Sequence, residues 1–249
     1  MFGKIFSALV PILLIGNALG AMTTAIDLTH TLSEEIPLYP GKTPFSRVIC
    51  AYYQSGYRLD DIALNTGIGT HMDAPNHFCS DGGGIDTVSL SRCFGPACVI
   101  HLADKVQTNA DYAISQTDIE EWEAVNGEIP GNALVLFQTG WDQFWETDSY
   151  CKPDSAGICH YPGVSEGASH LLTARGVGAI GIDTMSIDVG INLQFIAHKI
   201  LLGAGIPLVE NLTHLDELPA TGATVYILPV KIKDAPEAPV RAVALIENR

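Results

Sequence analysis

Short apolar runs rich in β-branched residues recur along the chain, each bounded by glycine, proline or aspartate, which is the pattern of a protein built largely from strands. Residues 25–32 (AIDLTHTL) alternate apolar and polar positions and predict a strand that stops ahead of Pro37 and the Pro40-Gly41 turn. Residues 47–53 and 57–64 predict two more, joined as a hairpin around Ser55-Gly56. The stretch NTGIGTHMDAPNHF, residues 65–78, opens as a strand and breaks at Pro75. Further strands are predicted over residues 99–102, 134–137, 179–182, 206–209, 225–230 and 240–246. Three helical patterns lie among them: residues 118–125 with Asp118 as N-cap, residues 165–175 stopping at Gly176, and residues 193–202. The last runs into Gly203-Ala204-Gly205 and then a strand ending in Glu210. Strands outnumber helices and do not alternate strictly with them, so a mixed sheet is expected rather than a doubly wound parallel one.

Composition refines this picture at the ends of the chain. The 249 residues are 47% hydrophobic and 16% charged, which suits one globular domain, and no linker, repeat or low-complexity tract divides them. A net charge of −15 repels phosphate backbones and anionic headgroups, so nucleic acid and membrane surfaces are not expected partners. Residues 1–20 stand apart: Lys4, an apolar run over 5–15 interrupted by Pro11, and the small residues of Ala18-Leu19-Gly20 predict a cleaved secretory signal peptide. That run is too short for a comfortable membrane span. Residues 21–249 are then a secreted, single-domain mature chain. The six cysteines fit an oxidising compartment. Cys93 with Cys98 and Cys151 with Cys159 are candidate local pairs, leaving Cys50 and Cys79, although the spacing does not choose among pairings.

Chemistry concentrates in the 65–78 stretch. Side chains at i and i+2 of a strand share a face, so His71 and Asp73 project together while Met72 turns away. Imidazole nitrogen and carboxylate oxygen suit Zn²⁺ or Mn²⁺. His77, beyond Pro75, faces the same pocket from a loop. The competing reading is a turn whose polar residues cap and satisfy one another. A second cluster is His198, on the inner side of an apolar helix, and Glu210, a carboxylate closing a core strand, which is costly unless paired or bound to a cation. A salt bridge and a satisfied core histidine are the plain alternatives there. Asp183 and Asp188 in GIDTMSID read as turn residues. Thr70 is a candidate hydrogen-bond partner for a ligand, and His30 a pocket or interface residue. Trp122, Trp141 and Trp145 are core residues or an aromatic wall, while His101, His160, His170 and His214 are surface or structural. Asn211-Leu212-Thr213 is a glycosylation sequon too close to Glu210 to be exposed.

The run GTHMDAPNH (residues 69–77) resembles the signature of the cyclase-like metal-dependent hydrolases, the family that contains bacterial kynurenine formamidase and isatin hydrolase. The resemblance continues through Asp27-Leu28-Thr29-His30, Tyr39-Pro40-Gly41, Thr139-Gly140-Trp141, residues 181–188 and HKILLGAGIPLVENL (residues 198–212). It implies a swivelling β/β/α sandwich, assembled as a homodimer or homotetramer. It also implies a divalent metal, zinc or manganese, held by His71, Asp73, His198 and Glu210, with Asp73 able to bridge two ions and His77 as acid/base. The implied activity is hydrolysis of a small-molecule amide of the arylformamidase kind, N-formylkynurenine to kynurenine and formate. A cyclic amide or lactone is the alternative substrate.

One position departs from the family pattern. The signature normally begins with a ligand histidine four residues before His71, and here that residue is Gly67. Three outcomes follow: one ion on the four retained ligands, which is the preferred expectation; a substitute donor such as Asn65 or water; or a weakened site in a non-catalytic binding protein.

Overall fold

A computed structural model describes residues 23–151 and 153–247, so the predicted signal peptide lies outside the described residues. In chain order the strands are β1 (Thr23–Asp27), β2 (Ser46–Ala51), β3 (Leu59–Ala63), β4 (His71–Asp73), β5 (Phe94–His101), β6 (Ala113–Ile114), β7 (Leu134–Gln138), β8 (Gly163–Val164), β9 (Ala179–Ile182), β10 (Leu208–Glu210), β11 (Ala223–Pro229) and β12 (Glu237–Glu247). The helices are α1 (Ala103–Val106), α2 (Gln116–Asn126), α3 (Glu166–Arg175) and α4 (Ile196–Gly203). None of the described helices is long and apolar enough to cross a membrane.

Eight strands form one mixed sheet in the order β1-β12-β11-β5-β7-β9-β10-β4. The run β5, β7, β9 and β10 is parallel, with helices in its crossovers, whereas β11, β12 and β1 are antiparallel. The sheet closes on itself. Strand β12 pairs with β11 through Val240–Ile246 and with β4 through Glu237–Pro239, while the other edge of β4 pairs with β10. One apolar cluster, including Met72, Val99, Leu136, Val209, Val225 and Ala238, fills the inside of this ring. A second, including Ile100, Ile119, Phe137, Leu172, Ile182 and Leu201, packs the opposite face against the helices. The mixed α/β architecture expected from the sequence is the one observed. The hairpin of β2 and β3 stands apart from the large sheet.

Local chemistry sets several boundaries differently from the sequence reading. Helix α2 is capped by Ser115, not Asp118: the Ser115 hydroxyl accepts from the Asp118 N–H, and the Asp118 carboxylate reaches back to the Ser115 N–H in a capping box. Helix α4 starts at Ile196 rather than residue 193, because Phe195 at its N-cap takes a left-handed φ of 52° that no helix can include. Strand β12 starts at Glu237 rather than residue 240. The two prolines beside that start, Pro236 and Pro239, act only as acceptors, from the Ala74 and Val230 N–H groups, so they do not exclude pairing. Cys93 and Cys98 lie in different core clusters, whereas Cys151 Sγ stands 2.8 Å from Cys159 Sγ.

Candidate functional site

The register of β4 assembles the site. Glu210 is the direct cross-strand partner of His71, and Glu237 that of Asp73. Because His71 and Asp73 share a face, all four side chains are delivered to one side of the sheet. Met72, Val209 and Ala238 pair on the opposite face, fully buried in the ring's core. Helix α4 adds His198 from above.

The donors converge. His71 Nε2 lies 3.4 Å from Asp73 Oδ1 and 3.4 Å from Glu210 Oε2. His198 Nε2 lies 3.3 Å from Asp73 Oδ2 and 3.3 Å from Glu210 Oε1. Donors bonded to one ion at about 2.0–2.2 Å stand roughly 3–3.5 Å apart, so these spacings suit a shared cation. Two sets of donor atoms fall within 4.8 Å of one another and share Asp73: Asp73, His77 and His198, and His71, Asp73 and Glu237.

Both imidazoles are held in the tautomer a metal needs. The His71 Nδ1–H donates to the Gly69 carbonyl at 2.9 Å, and the His198 Nδ1–H to Asp188 Oδ2 at 2.6 Å, which leaves each Nε2 lone pair facing the cluster. Gly69 presents its carbonyl this way from a left-handed φ of 62°. Asp188 also accepts the backbone N–H groups of Ala197 and His198, so one carboxylate caps α4 and orients its histidine. Glu210 is fixed by the Ile187 N–H at 2.8 Å.

His71 Nε2 and both oxygens of Asp73 are buried with no hydrogen-bond partner. A buried polar group left so costs about 1–3 kcal/mol, more if charged. Electrostatics points the same way. Burial alone would lower both histidines, but Glu210 and Asp73 around His71, and Asp188, Asp73 and Glu210 around His198, outweigh it and raise both, His198 well above its usual value. Burial pushes Glu210 up, yet the two imidazoles hold it well below the usual carboxylate range. The cluster demands positive charge, and a divalent cation fits its donor set. His77 stands at the mouth: its side chain is 27% exposed, and its Nε2 is 3.8 Å from Glu237 Oε1. Phe78 lies against His77 and His198 with ring centroids 4.7 Å away from each, Phe195 is 5.5 Å from Phe78, and Tyr39 is 6.5 Å from Phe195.

A family model described as "Putative cyclase" matches residues 26–189. The chain belongs to the Cyclase family. Kynurenine formamidase of Geobacillus thermodenitrificans is 33% identical over 227 residues, 89% of this chain and 97% of that protein. Isatin hydrolase of Roseibium aggregatum is 30% identical over 187 residues, 72% of this chain and 71% of that protein. Among solved structures, isatin hydrolase A from Labrenzia aggregata bound to benzyl benzoate superimposes with a TM-score of 0.86 at 30% identity, covering 93% of this chain and 96% of that one.

In this Cyclase-family chain the structure brings His71, Asp73, His198, Glu210 and His77 together and resolves several alternatives that the sequence left open. Thr70 donates to the Asn211 carbonyl at 2.6 Å and accepts from the His30 N–H, so it ties loops together rather than awaiting a ligand. Asn65 accepts from the Gly67 N–H at 3.0 Å in a tight turn and does not replace the missing histidine. Trp141 and Trp145 pack in a separate cluster, Trp145 stacked on His30 at 3.9 Å, so the rings beside the site are Phe78, Phe195 and Tyr39. Asp183 and Asp188 part company. Asp183 accepts from Thr139 and Gly140, and burial pushes its carboxyl up to about 7, while Asp188 serves the candidate centre. Asn211 of the sequon is buried and bonded to Tyr150 and Gly69. Glu237 and Lys42 were not legible: an acid between two prolines and a lysine after Pro-Gly look like turn residues.

Proposed function

We propose that this chain hydrolyses a small aryl amide, an aryl formamide such as N-formylkynurenine, at a divalent-cation centre held by His71, Asp73, His198 and Glu210. One observation carries the reading: His71 Nε2 and the Asp73 oxygens are buried without hydrogen bonds beside a histidine that still meets solvent. A zinc or manganese ion held there would supply Lewis acidity toward a carbonyl and would bring the pKa of water from about 16 toward roughly 7. The chain's own groups do the rest. Asp188 and the Gly69 carbonyl hold His198 and His71 by their Nδ1–H groups, with Nε2 turned toward the cation site. His77 takes a proton from the attacking water and returns it to the departing nitrogen, a role that suits an imidazole at the solvent edge. The water oxygen bonds to the formyl carbon, the C–N bond breaks, and formate and the free amine leave. Phe78, Phe195 and Tyr39 offer ring faces to an aryl group. The likeness to isatin hydrolase favours a second reading with the same groups, in which the opened amide is cyclic and amine and acid stay in one product.

The test pairs metal content of the purified chain with formate release from N-formylkynurenine and ring opening of isatin. Metal with turnover of one substrate is the expected result. Metal without turnover across a panel of amides and lactones would instead make the chain a binding protein, and absence of bound metal would remove the centre.

Secretion is part of the same reading, supported by the leader-like residues 1–20 and the sulfur pair Cys151 and Cys159. Chain recovered from an oxidising compartment is expected to carry that bridge, with an intact mass two hydrogens short of the reduced protein, and to lose about 2–3 kcal/mol of stability on reduction. Alkylation of both thiols without prior reduction would rule it out.

A further inference from the structure

The loss of a side chain at position 67 is matched by a side chain arriving from the other end of the sequence. A Cβ on residue 67 would overlap the Glu237 carboxylate and the Lys42 ammonium, so a histidine there and Glu237 in its observed place exclude each other. Glu237 is buried, and its Oε1 stands 3.8 Å from His71 Nε2 and 3.8 Å from His77 Nε2. Its atoms fall within 4.8 Å of His71 and Asp73, whose Nε2 and Oδ1 atoms have no hydrogen-bond partner. Two groups anchor it: Lys42 Nζ donates to Oε1 at 3.1 Å and to the Gly67 carbonyl at 2.6 Å, and the Thr66 hydroxyl donates to Oε2 at 3.3 Å. The exchange conserves charge, since a neutral imidazole is replaced by a carboxylate and an ammonium. Lys42 is 24% exposed, so its charge is delivered from the rim at lower desolvation cost than a fully buried one.

We propose that Glu237, positioned by Lys42 and Thr66, is the metal ligand that stands in for the side chain absent at Gly67, completing a donor set with His71 and Asp73. This rests on the cation centre proposed above and adds a ligand to it from outside the 65–78 stretch. Carboxylate for imidazole makes this part of the centre harder, which favours Mn²⁺ over softer ions.

The test is Mn²⁺ binding followed by calorimetry and by electron paramagnetic resonance on the full chain, with no reliance on turnover. Glu237→Gln, close in shape, is expected to weaken Mn²⁺ at least roughly tenfold and to change the resonance of the bound ion. Lys42→Met is expected to weaken binding while leaving the stoichiometry as it is. In the background of Glu237→Gly with Lys42→Ala, which together clear the space, adding Gly67→His is expected to restore affinity. Unchanged affinity and spectrum in Glu237→Gln would overturn the proposal while leaving the centre intact. A gain of one equivalent of Mn²⁺ in Lys42→Met would overturn it too, because the ammonium would then be occupying a cation's place. Failure of the unmodified chain to bind Mn²⁺ or Zn²⁺ would remove both the centre and its added ligand.

Discussion

Replacing His77 by alanine is expected to cut turnover by about 10²- to 10⁴-fold, the usual contribution of a positioned acid/base, while the bound metal remains. The asymmetry follows from where the imidazole sits. Its side chain is 27% exposed, with Glu237 3.8 Å away and Asp73 within 4.8 Å. Removing it therefore opens space that solvent fills. His71 and Asp73 are different: both are buried, and His71 Nε2 and the Asp73 oxygens lack hydrogen bonds, so their alanine variants should lose metal and turnover together. Measuring metal content beside formate release for the three variants separates the roles. Loss of metal in His77→Ala would make His77 a ligand.

The second large effect is expected at Asp188, which touches no reacting group. Its carboxylate accepts from the Ala197 N–H, the His198 N–H and the His198 Nδ1–H. Asp188→Ala leaves three buried donors unsatisfied, and at about 1 kcal/mol or more each the chain should lose roughly 3 kcal/mol, or about 6–12 °C in Tm for a domain of this size. Metal affinity should fall about 10- to 100-fold, as for other groups that orient a metal-bound histidine. Asp188→Asn divides the two effects. An amide still offers one oxygen to the helix N–H groups, but its NH₂ can bond the imidazole only if Nδ1 is unprotonated. The proton then moves to Nε2, toward Asp73 and Glu210. Stability should be largely kept and metal affinity lost; equal affinity in the two proteins would show that the tautomer is set otherwise.

The parts of this centre legible in the sequence are those whose geometry is local. Alternation placed His71 and Asp73 on one face of a strand with Met72 behind, and helix, glycine turn and strand put His198 and Glu210 within one α/β unit. What the sequence hid depends on pairing between distant segments. Glu237 acts only because β12 bends to pair with β4 before it joins β11, and nothing between Pro236 and Pro239 announces that switch. Asp188 was visible as an acid in a turn, but its tie to His198 requires the left-handed Phe195 that ends the loop before α4. Of the two readings open to the tryptophans, core packing holds for Trp141 and Trp145. Phe78 earns its place through position, one residue beyond His77 in the turn that Pro75 begins.

Because β4 is only three residues long and held on both edges, its neighbours come from residues 208–210 and 237–239. Both of these flanking segments are synthesised after β4, so until they follow an emerging chain carries His71 and Asp73 on an unpaired strand edge. Contacts this distant in sequence form late and slowly. A cation at the proposed centre would therefore be taken up only once those segments have paired, and the metal supply where folding finishes would decide which ion it holds.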